Sequence, residues 1–172
     1  MFNYENIPYL MLDLDGVVVD FVTGYREVGK RLYPDKDFDN YDAITEGIEN
    51  WFDVTLDEDK CIMDNIDYST LPVTDEFEDI LNLLNREIEG KKIVKQIRIV
   101  TARDEKTDIA STLFWLQKNK IRYNEIVFSE NKYKYCEDIT HIMEDRDIYI
   151  EEIQEIYSDI IIIPISRAYN KQ

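Results

Sequence analysis

Two aspartates spaced two residues apart, Asp13 and Asp15, are the residues whose type and spacing most strongly suggest chemistry. They come directly after the apolar run at residues 9–12 and are followed by Gly16, the first glycine of the chain. Carboxylates can act as nucleophiles, as proton donors and acceptors, or as metal ligands. Two carboxylates this close repel each other, and a bound cation would relieve the repulsion. The alternative interpretation is that Asp-x-Asp-Gly is only a polar turn that closes a strand.

A second group of candidate residues consists of Thr101, Ala102 and Arg103, which follow a β-branched run at residues 96–100. A hydroxyl at the end of a strand, beside the start of a helix, can hold a phosphate oxygen with help from the helix amides and dipole. Arg103 could add a charged, bidentate donor to a phosphate or to another substrate oxygen. The alternative for Thr101 is a helix cap, which is a common role for threonine.

Glu144 and Asp145 form a third group, at the end of the short apolar run 141–143. Two adjacent carboxylates at a strand end could complete an oxygen-rich shell that suits Mg²⁺. Acidic residues at the start of a helix also favour its dipole, which is the simpler interpretation. His141 is the only histidine and is expected to be structural, which argues against histidine-based nucleophile schemes.

The elements that must position these residues alternate between strand and helix. Five short segments rich in apolar and β-branched residues are predicted strands, at residues 9–12, 96–100, 125–128, 141–143 and 160–163. Three amphipathic segments between them are predicted helices, at residues 75–89, at residues 106–118 with Ile109, Leu113 and Leu116 inward, and from about residue 149. This alternation predicts an α/β fold, a doubly wound parallel five-stranded Rossmann-like sheet with helices on both faces. Such sheets bind ligands at the carboxyl ends of their strands.

Residues 21–70 differ in character from the rest of the chain. A helix is predicted over 21–33, and the segment 35–70 is acidic, aromatic and broken by Asn and Asp. We interpret the latter as a small helical insertion with a thin core of its own, made of Ile44, Ile48, Trp51, Phe52, Leu56 and Ile62. The predicted domains are therefore an α/β core at residues 1–20 and 71–172 and a small helical cap at residues 21–70.

Composition excludes several classes of function. The 172 residues include 20 Lys and Arg against 37 Asp and Glu, a net charge of −17. This charge disfavours extended binding to nucleic acids or anionic membranes, so an anionic substrate would need a local positive centre or a metal. The sequence shows no signal peptide or membrane-spanning run, and a cytoplasmic protein is expected. Cys61 and Cys136 lack CxxC spacing and are expected to be reduced, although the sequence also permits a disulfide between them.

Taken in order, these motifs resemble those of the haloacid dehalogenase (HAD) superfamily of phosphotransferases, whose first motif is an Asp-x-Asp-Gly at the end of the first strand. By this resemblance Thr101 belongs to the second motif and Lys134 is the lysine of the third. Lys134 is preferred to Lys132 because it lies ten residues before Glu144, as in compact HAD phosphatases. Glu144 stands where many relatives have Asp, so Asp145 is expected as the direct metal ligand, with Glu144 bound through water or directed toward Lys134.

Within this superfamily the chain is most similar to the 5′(3′)-deoxyribonucleotidases. The similarity includes the start Asp-Gly-Val-Val-Val-Asp-Phe and the helical insertion directly after the first motif. It also includes the spacing from Lys134 to Glu144-Asp145-Arg146. A last strand leads to Arg167-Ala-Tyr169-Asn170, where the family typically carries Pro-Tyr-Asn.

The resemblance implies Mg²⁺-dependent hydrolysis of a phosphomonoester, a nucleoside monophosphate in this family. Asp13 would attack phosphorus and form an aspartyl phosphate, and Asp15 would protonate the leaving group and then activate water. Mg²⁺ would be held by Asp13, the backbone carbonyl of Asp15 and Asp145. Thr101, Lys134 and loop amides would stabilise the charge on the phosphoryl oxygens.

The predicted cap would close over the site and contact the substrate. Phe21, Tyr41 and Trp51 are candidates for that contact, although aromatic residues of this kind are more often core. Two alternatives stay open: a HAD phosphatase for another small phosphorylated metabolite or a nucleic acid 3′ end, and a noncatalytic binding module on the same scaffold. Relatives are often dimers, so the resemblance also allows a homodimer.

Overall fold

The computed structural model describes residues 2–41, 43, 47–167 and 169–170 of the chain. Its elements in chain order are β1 (Ile7–Leu12), α1 (Phe21–Leu32), α2 (Leu56–Asp64), α3 (Phe77–Asn85), β2 (Glu87–Ile88), β3 (Lys91–Lys92), β4 (Val94–Thr101), α4 (Glu105–Lys118), β5 (Glu125–Phe128), β6 (His141–Met143), α5 (Asp147–Ile156) and β7 (Ile161–Ile162). Two short 3₁₀ helices cover Ile48–Asn50 and Lys132–Tyr135.

The main sheet has five strands in the order β5-β4-β1-β6-β7, and every neighbouring pair is parallel. This confirms the predicted α/β fold with a parallel five-stranded sheet. β1 lies at the centre, where Leu12 pairs with Ile99 of β4 and with Met143 of β6. The residues that follow β1 and β6 are therefore neighbours at the carboxyl ends of these two adjacent strands.

Core packing occurs on both faces of this sheet. Along β1, Leu10 and Leu12 belong to one hydrophobic cluster, which includes buried residues of α3 and α4. Met11 points to the opposite face and belongs to a second cluster, which includes Ile150 and Ile153 of α5. Side chains alternate between the faces of a strand, so each face needs its own cover of helices. The structure confirms the doubly wound arrangement.

The helix predicted over 75–89 is shorter than its sequence pattern suggested. α3 ends at Asn85, and the next residues form the antiparallel hairpin of β2 and β3. Glu89 and Gly90 both have positive φ angles, 52° and 73°, so Gly90 forms the hairpin turn rather than ending a helix. Ile88, which lies within the predicted helix, is instead exposed in the hairpin.

The inward face predicted for α4 is only partly correct, since Leu116 is buried as predicted. Ile109 and Leu113 are exposed, whereas Thr112 and Trp115 are buried. The Trp115 indole takes the inner position because its Nε1 donates a hydrogen bond of 2.7 Å to the backbone oxygen of Leu71. A large aromatic ring with a buried hydrogen-bond partner decides the orientation of the helix over two smaller aliphatic residues.

The insertion packs on the α/β part of the chain rather than on a core of its own. Trp51, Phe52 and Ile62 are buried in the cluster that also covers the first face of the sheet. Leu56 is 82% exposed, because it is the first residue of α2 and faces solvent. Ile44 lies outside the described residues. The division into core and cap stays a prediction.

Neither cysteine forms a disulfide bond. Cys136 is buried against Met11 in the second cluster. Within the described part of the chain, no helix has the length and apolar character required to traverse a lipid bilayer.

Candidate active site

The ends of β1 and β6 bring the first and third groups of acidic residues together. Asp13 follows β1, and its backbone N–H donates a hydrogen bond of 3.0 Å to the carbonyl of Met143, the last residue of β6. Glu144 and Asp145 come next along the chain. One carboxylate oxygen from each of Asp13, Glu144 and Asp145 lies within 4.8 Å of the others. These three residues, at most 5% exposed, are called the acidic cluster below.

Lys132, not Lys134, is the lysine of this site. Its Nζ lies 2.9 Å from Asp13 Oδ1 and also contacts Glu144 Oε2, and its side chain is 1% exposed. Lys134 is exposed and lies over the ring of Tyr133. Both lysines are in the 3₁₀ helix after β5, where residues two positions apart point in directions about 120° apart. Only one of them can face the cluster, and the structure corrects the preference for Lys134.

Burial and mutual repulsion disturb the ionisation of the acidic cluster. Burial, together with the charge of Glu144, raises the pKa of Asp13 to about 7, although Lys132 opposes the shift. Burial likewise raises the pKa of Glu144 to about 7 and, with the charge of Asp13, that of Asp145 to about 6. Burial would lower the pKa of Lys132, but the charges of Asp13 and Glu144 raise it by more, so Lys132 stays charged. One lysine does not balance three carboxylates.

Asp15 points away from the acidic cluster, toward Arg103. The Arg103 guanidinium donates to both carboxylate oxygens, from Nε at 2.9 Å and from Nη2 at 2.6 Å. It also donates from Nη1 to Thr112 Oγ1 at 3.0 Å and lies 4.3 Å from the centre of the Tyr68 ring. Asp15 was predicted among the metal ligands. The ligand atom predicted was its backbone carbonyl, and that role stays a prediction, while its carboxylate is directed at Arg103.

The three residues of the second motif, Thr101 to Arg103, differ in whether they line the site. Ala102 and Arg103 line the cavity that also contains Asp13 and Asp15. Thr101 is completely buried at the end of β4, and its Oγ1 accepts a hydrogen bond of 3.4 Å from the Arg103 backbone N–H. The helix cap is Asp104, whose carboxylate accepts from the backbone N–H groups of the first turn of α4. The phosphate-binding role of Thr101 stays a prediction.

The acidic cluster opens into a cavity of about 340 Å³. Its polar wall includes Asp13, Asp15, Arg103, Lys132 and Asp145, and its aromatic wall includes Phe21, Trp51, Tyr68, Tyr149 and Tyr169. Two of the predicted substrate residues, Phe21 and Trp51, therefore face this space. The third, Tyr41, instead stacks on Trp51 with ring centres 5.9 Å apart and lies against Arg26, so it supports the wall from behind.

Several solved structures with a similar architecture are hydrolases. A HAD-superfamily hydrolase of subfamily IA from Geobacter sulfurreducens PCA is 17% identical with a TM-score of 0.53, over 95% of this chain and 93% of that one. A hydrolase from Streptococcus pneumoniae TIGR4 is 15% identical with a TM-score of 0.53, over 92% of each chain. A dehalogenase is 8% identical with a TM-score of 0.56, over 98% of this chain and 88% of that one. The chain has the HAD fold.

No protein-family model matches the chain, and no curated protein matches it. The similarity to the solved structures is therefore a similarity of fold, and the side chains of the site must carry the argument about function.

The donors of the acidic cluster fit the divalent cation that the HAD fold implies. Asp13, Glu144 and Asp145 supply only oxygen ligands, which Mg²⁺ prefers. Asp145 Oδ1 is buried and has no hydrogen-bond partner among the described residues. A buried, unpartnered carboxylate oxygen is costly, and coordination of a cation would remove the cost.

The raised pKa values of the acidic cluster predict that stabilisation by Mg²⁺ grows with pH. A carboxyl whose pKa is raised by folding stabilises the folded state while protonated, and loses this effect as pH rises through its folded pKa. Metal-free protein should therefore lose stability progressively from about pH 4, the pKa of an unfolded carboxyl, to about pH 7, where the loss is complete. Mg²⁺ binds the ionised carboxylates and should restore that stability. Melting temperatures with Mg²⁺ and with chelator test this; a difference that stays constant with pH would contradict it.

Gly16 is expected to tolerate no side chain. Its φ is +81°, and an added Cβ would overlap Asp145 Oδ2 and lie 2.9 Å from the Tyr169 hydroxyl. Gly16→Ala should lower the free energy of unfolding by about 3 kcal/mol, from backbone strain and displacement of Asp145. Gly90 is the matched control, because its φ is +73° but nothing lies within 4 Å of its added Cβ. Gly90→Ala should cost only about 1 kcal/mol in urea denaturation; equal losses would refute this explanation.

Several residues of the site were not among the sequence-predicted candidates. Lys132 was named only as the competitor of Lys134. Tyr149 lies against Lys132, with Nζ 4.5 Å from the ring centre, and Tyr68 supports Arg103. Tyr169 donates a hydrogen bond to Asp145 Oδ2. Of the three tyrosines, only Tyr169 had a signal in the sequence, which is its position in the Arg-Ala-Tyr-Asn segment. Tyr68 and Tyr149 lie in no motif that would separate them from tyrosines of the core.

Proposed function

We propose that the protein is a Mg²⁺-dependent phosphomonoesterase that acts through an aspartyl phosphate on Asp13. The observation that carries this proposal is the position of Asp13. It is a buried carboxylate that lies beside a charged lysine and two further carboxylates, at the wall of an open cavity. A nucleophilic carboxylate needs a nearby positive charge to receive an anionic phosphate, and Lys132 and Arg103 supply positive charge at the wall of this cavity in a chain of net charge −17.

In the proposed reaction a carboxylate oxygen of Asp13 attacks phosphorus, and the bond from phosphorus to the ester oxygen breaks. Water then attacks the aspartyl phosphate, the bond from phosphorus to Asp13 breaks, and inorganic phosphate leaves. Lys132 stabilises the phosphoryl oxygens while it holds Asp13 in place. Asp13, Asp145 and the backbone carbonyl of Asp15 would hold Mg²⁺, which would supply positive charge to offset the charge of the phosphate.

Asp15 serves as the proton donor to the leaving oxygen and then as the acceptor of a proton from water. Its carboxylate is engaged with Arg103 before substrate arrives. An incoming phosphate offers Arg103 new oxygen acceptors, and exchange of partners would release the Asp15 carboxylate, which takes up a proton from solvent and then delivers it to the leaving oxygen. Arg103 would thus bind the phosphate and regulate the availability of Asp15.

A nucleoside monophosphate is the substrate that the cavity favours. The aromatic wall of Phe21, Trp51, Tyr68 and Tyr169 offers flat, apolar surface next to the phosphate-binding groups. A nucleobase could stack on such rings while the phosphate meets Lys132. The similarity of the sequence to the 5′(3′)-deoxyribonucleotidases points to deoxyribonucleotides within this class.

A comparison of substrate classes tests the assignment. Values of kcat/KM for phosphate release should be highest for deoxyribonucleoside monophosphates, lower for ribonucleoside monophosphates and lowest for sugar phosphates. Oligonucleotides with a 3′-phosphate form the fourth class. Preference for a sugar phosphate, or for the oligonucleotide over the mononucleotide, would replace the nucleotidase assignment by one of the alternative phosphatases.

A further inference from the structure

The last described residues of the chain contact the loops that follow β1 and β6. The Tyr169 hydroxyl donates to Asp145 Oδ2, and Asn170 Nδ2 donates to the Asp145 backbone oxygen at 2.8 Å. Arg167 Nε donates to the backbone oxygen of Gly16 at 2.7 Å. We call Arg167, Tyr169 and Asn170 the C-terminal clasp.

The clasp is itself held in a fixed conformation. The Arg167 backbone N–H donates to Asn170 Oδ1 at 3.1 Å, and Asn170 Nδ2 also donates to the Ile165 backbone oxygen at 2.7 Å. Arg167 Nη1 lies 3.0 Å from Glu76 Oε1, at the start of α3. A short segment with this many internal and external contacts is able to hold a neighbouring side chain in one orientation.

Asp145 is the residue that the clasp constrains most. Its backbone oxygen and its side-chain Oδ2 are both engaged by the clasp, and among the described residues Oδ1 has no hydrogen-bond partner. One oxygen of the Asp145 carboxylate thus accepts a hydrogen bond from the protein, and the other has no protein donor among the described residues. Hydrogen bonds to the outer atoms of a ligand fix its orientation and influence metal affinity.

Tyr169 also contacts the aromatic wall of the cavity. Its ring centre lies 5.1 Å from that of Trp51, in the insertion. The hydroxyl and the ring of one residue therefore face different neighbours. The substitution Tyr169→Phe removes only the contact with Asp145 and keeps the packing against Trp51.

We propose that the C-terminal clasp is a positioning element of the metal site, in which Tyr169 and Asn170 orient Asp145 so that its unpartnered Oδ1 is presented to a divalent cation. The inference rests on the metal site of the proposed function. Tyr169 and Asn170 are positioning residues, because they act on the metal through Asp145. The clasp thereby makes Arg167, Tyr169 and Asn170 part of the site.

Titration of metal-free protein with Mg²⁺, followed by calorimetry, tests this inference without any substrate. Tyr169→Phe should bind Mg²⁺ about 10-fold to 100-fold more weakly than the unsubstituted protein. Tyr157→Phe is the matched control, since Tyr157 is another half-buried tyrosine that packs in the second hydrophobic cluster. Its Mg²⁺ affinity should stay within about twofold, because it contacts no part of the acidic cluster.

The outcomes separate this inference from the proposed function. Equal Mg²⁺ affinity in Tyr169→Phe and Tyr157→Phe would overturn the role of the clasp and leave the phosphatase proposal intact. Absence of Mg²⁺ binding in the unsubstituted protein would overturn both. Weaker binding in Tyr169→Phe supports the clasp even if no nucleotide is hydrolysed. If Tyr169→Phe does not fold, Asn170→Ala replaces it, and unchanged affinity in that variant refutes the inference.

Discussion

Asp13→Asn is expected to reduce phosphate release at least about a thousandfold, because the amide cannot form the aspartyl phosphate. The substitution keeps the shape of the side chain, so the fold should survive. In chelator the variant should be as stable as the unsubstituted protein or more so. Burial raises the pKa of Asp13 to about 7, which means that the ionised carboxylate is unfavourable in the metal-free site. Steady-state rates and melting temperatures, measured on the same preparations, test both parts.

The control for this substitution is Asp35→Asn, which removes one negative charge from an exposed position. Its rate should stay near that of the unsubstituted protein, since surface changes of this kind alter little. If Asp13→Asn kept more than a tenth of the activity, Asp13 would not be the nucleophile. A collapse of its fold would instead make Asp13 a structural residue.

Lys132→Met should have the second largest effect, on both rate and stability. The change leaves Asp13 and Glu144 buried without their shared cation, a loss on the order of 3 kcal/mol in the free energy of unfolding. Activity should fall about a hundredfold or more, because the phosphoryl oxygens lose a charged donor. The loss of stability should be smaller at low pH, since without Lys132 the pKa of each carboxyl rises further and protonation removes the buried charge.

Lys134→Met is the matched control, because it removes the same side chain two residues away from an exposed position. Its free energy of unfolding should change by less than about 0.5 kcal/mol, and its rate should be close to that of the unsubstituted protein. A larger loss in Lys134→Met than in Lys132→Met would contradict the geometry of the site.

The sequence was sufficient to predict the main sheet and the positions of Asp13, Glu144 and Asp145. These residues follow the predicted strands 9–12 and 141–143, and parallel strands place the residues after their carboxyl ends on the same side of the sheet. It was not sufficient to choose between Lys132 and Lys134. Both belong to a short 3₁₀ helix, and which of them faces inward depends on how that helix packs against β4 and α5.

Other errors have a common physical cause, the influence of tertiary contacts on short patterns. Periodicity placed Ile109 and Leu113 inward, but the hydrogen bond from Trp115 to Leu71 decides how α4 faces the core. Tyr41 was expected to meet a substrate, but it packs behind Trp51. The spacing of residues within one segment does not indicate which side chain of a distant segment each of them will contact.

Phosphate release from deoxyribonucleoside monophosphates, measured with Mg²⁺ and with chelator, tests the central claim most directly. The account predicts turnover that requires Mg²⁺, disappears with chelator and returns when the metal is restored. Turnover that is equal with Mg²⁺ and with chelator would contradict the role of the acidic cluster. No release from any phosphomonoester, by folded protein shown to bind Mg²⁺, would contradict the phosphatase itself and favour a noncatalytic binding role.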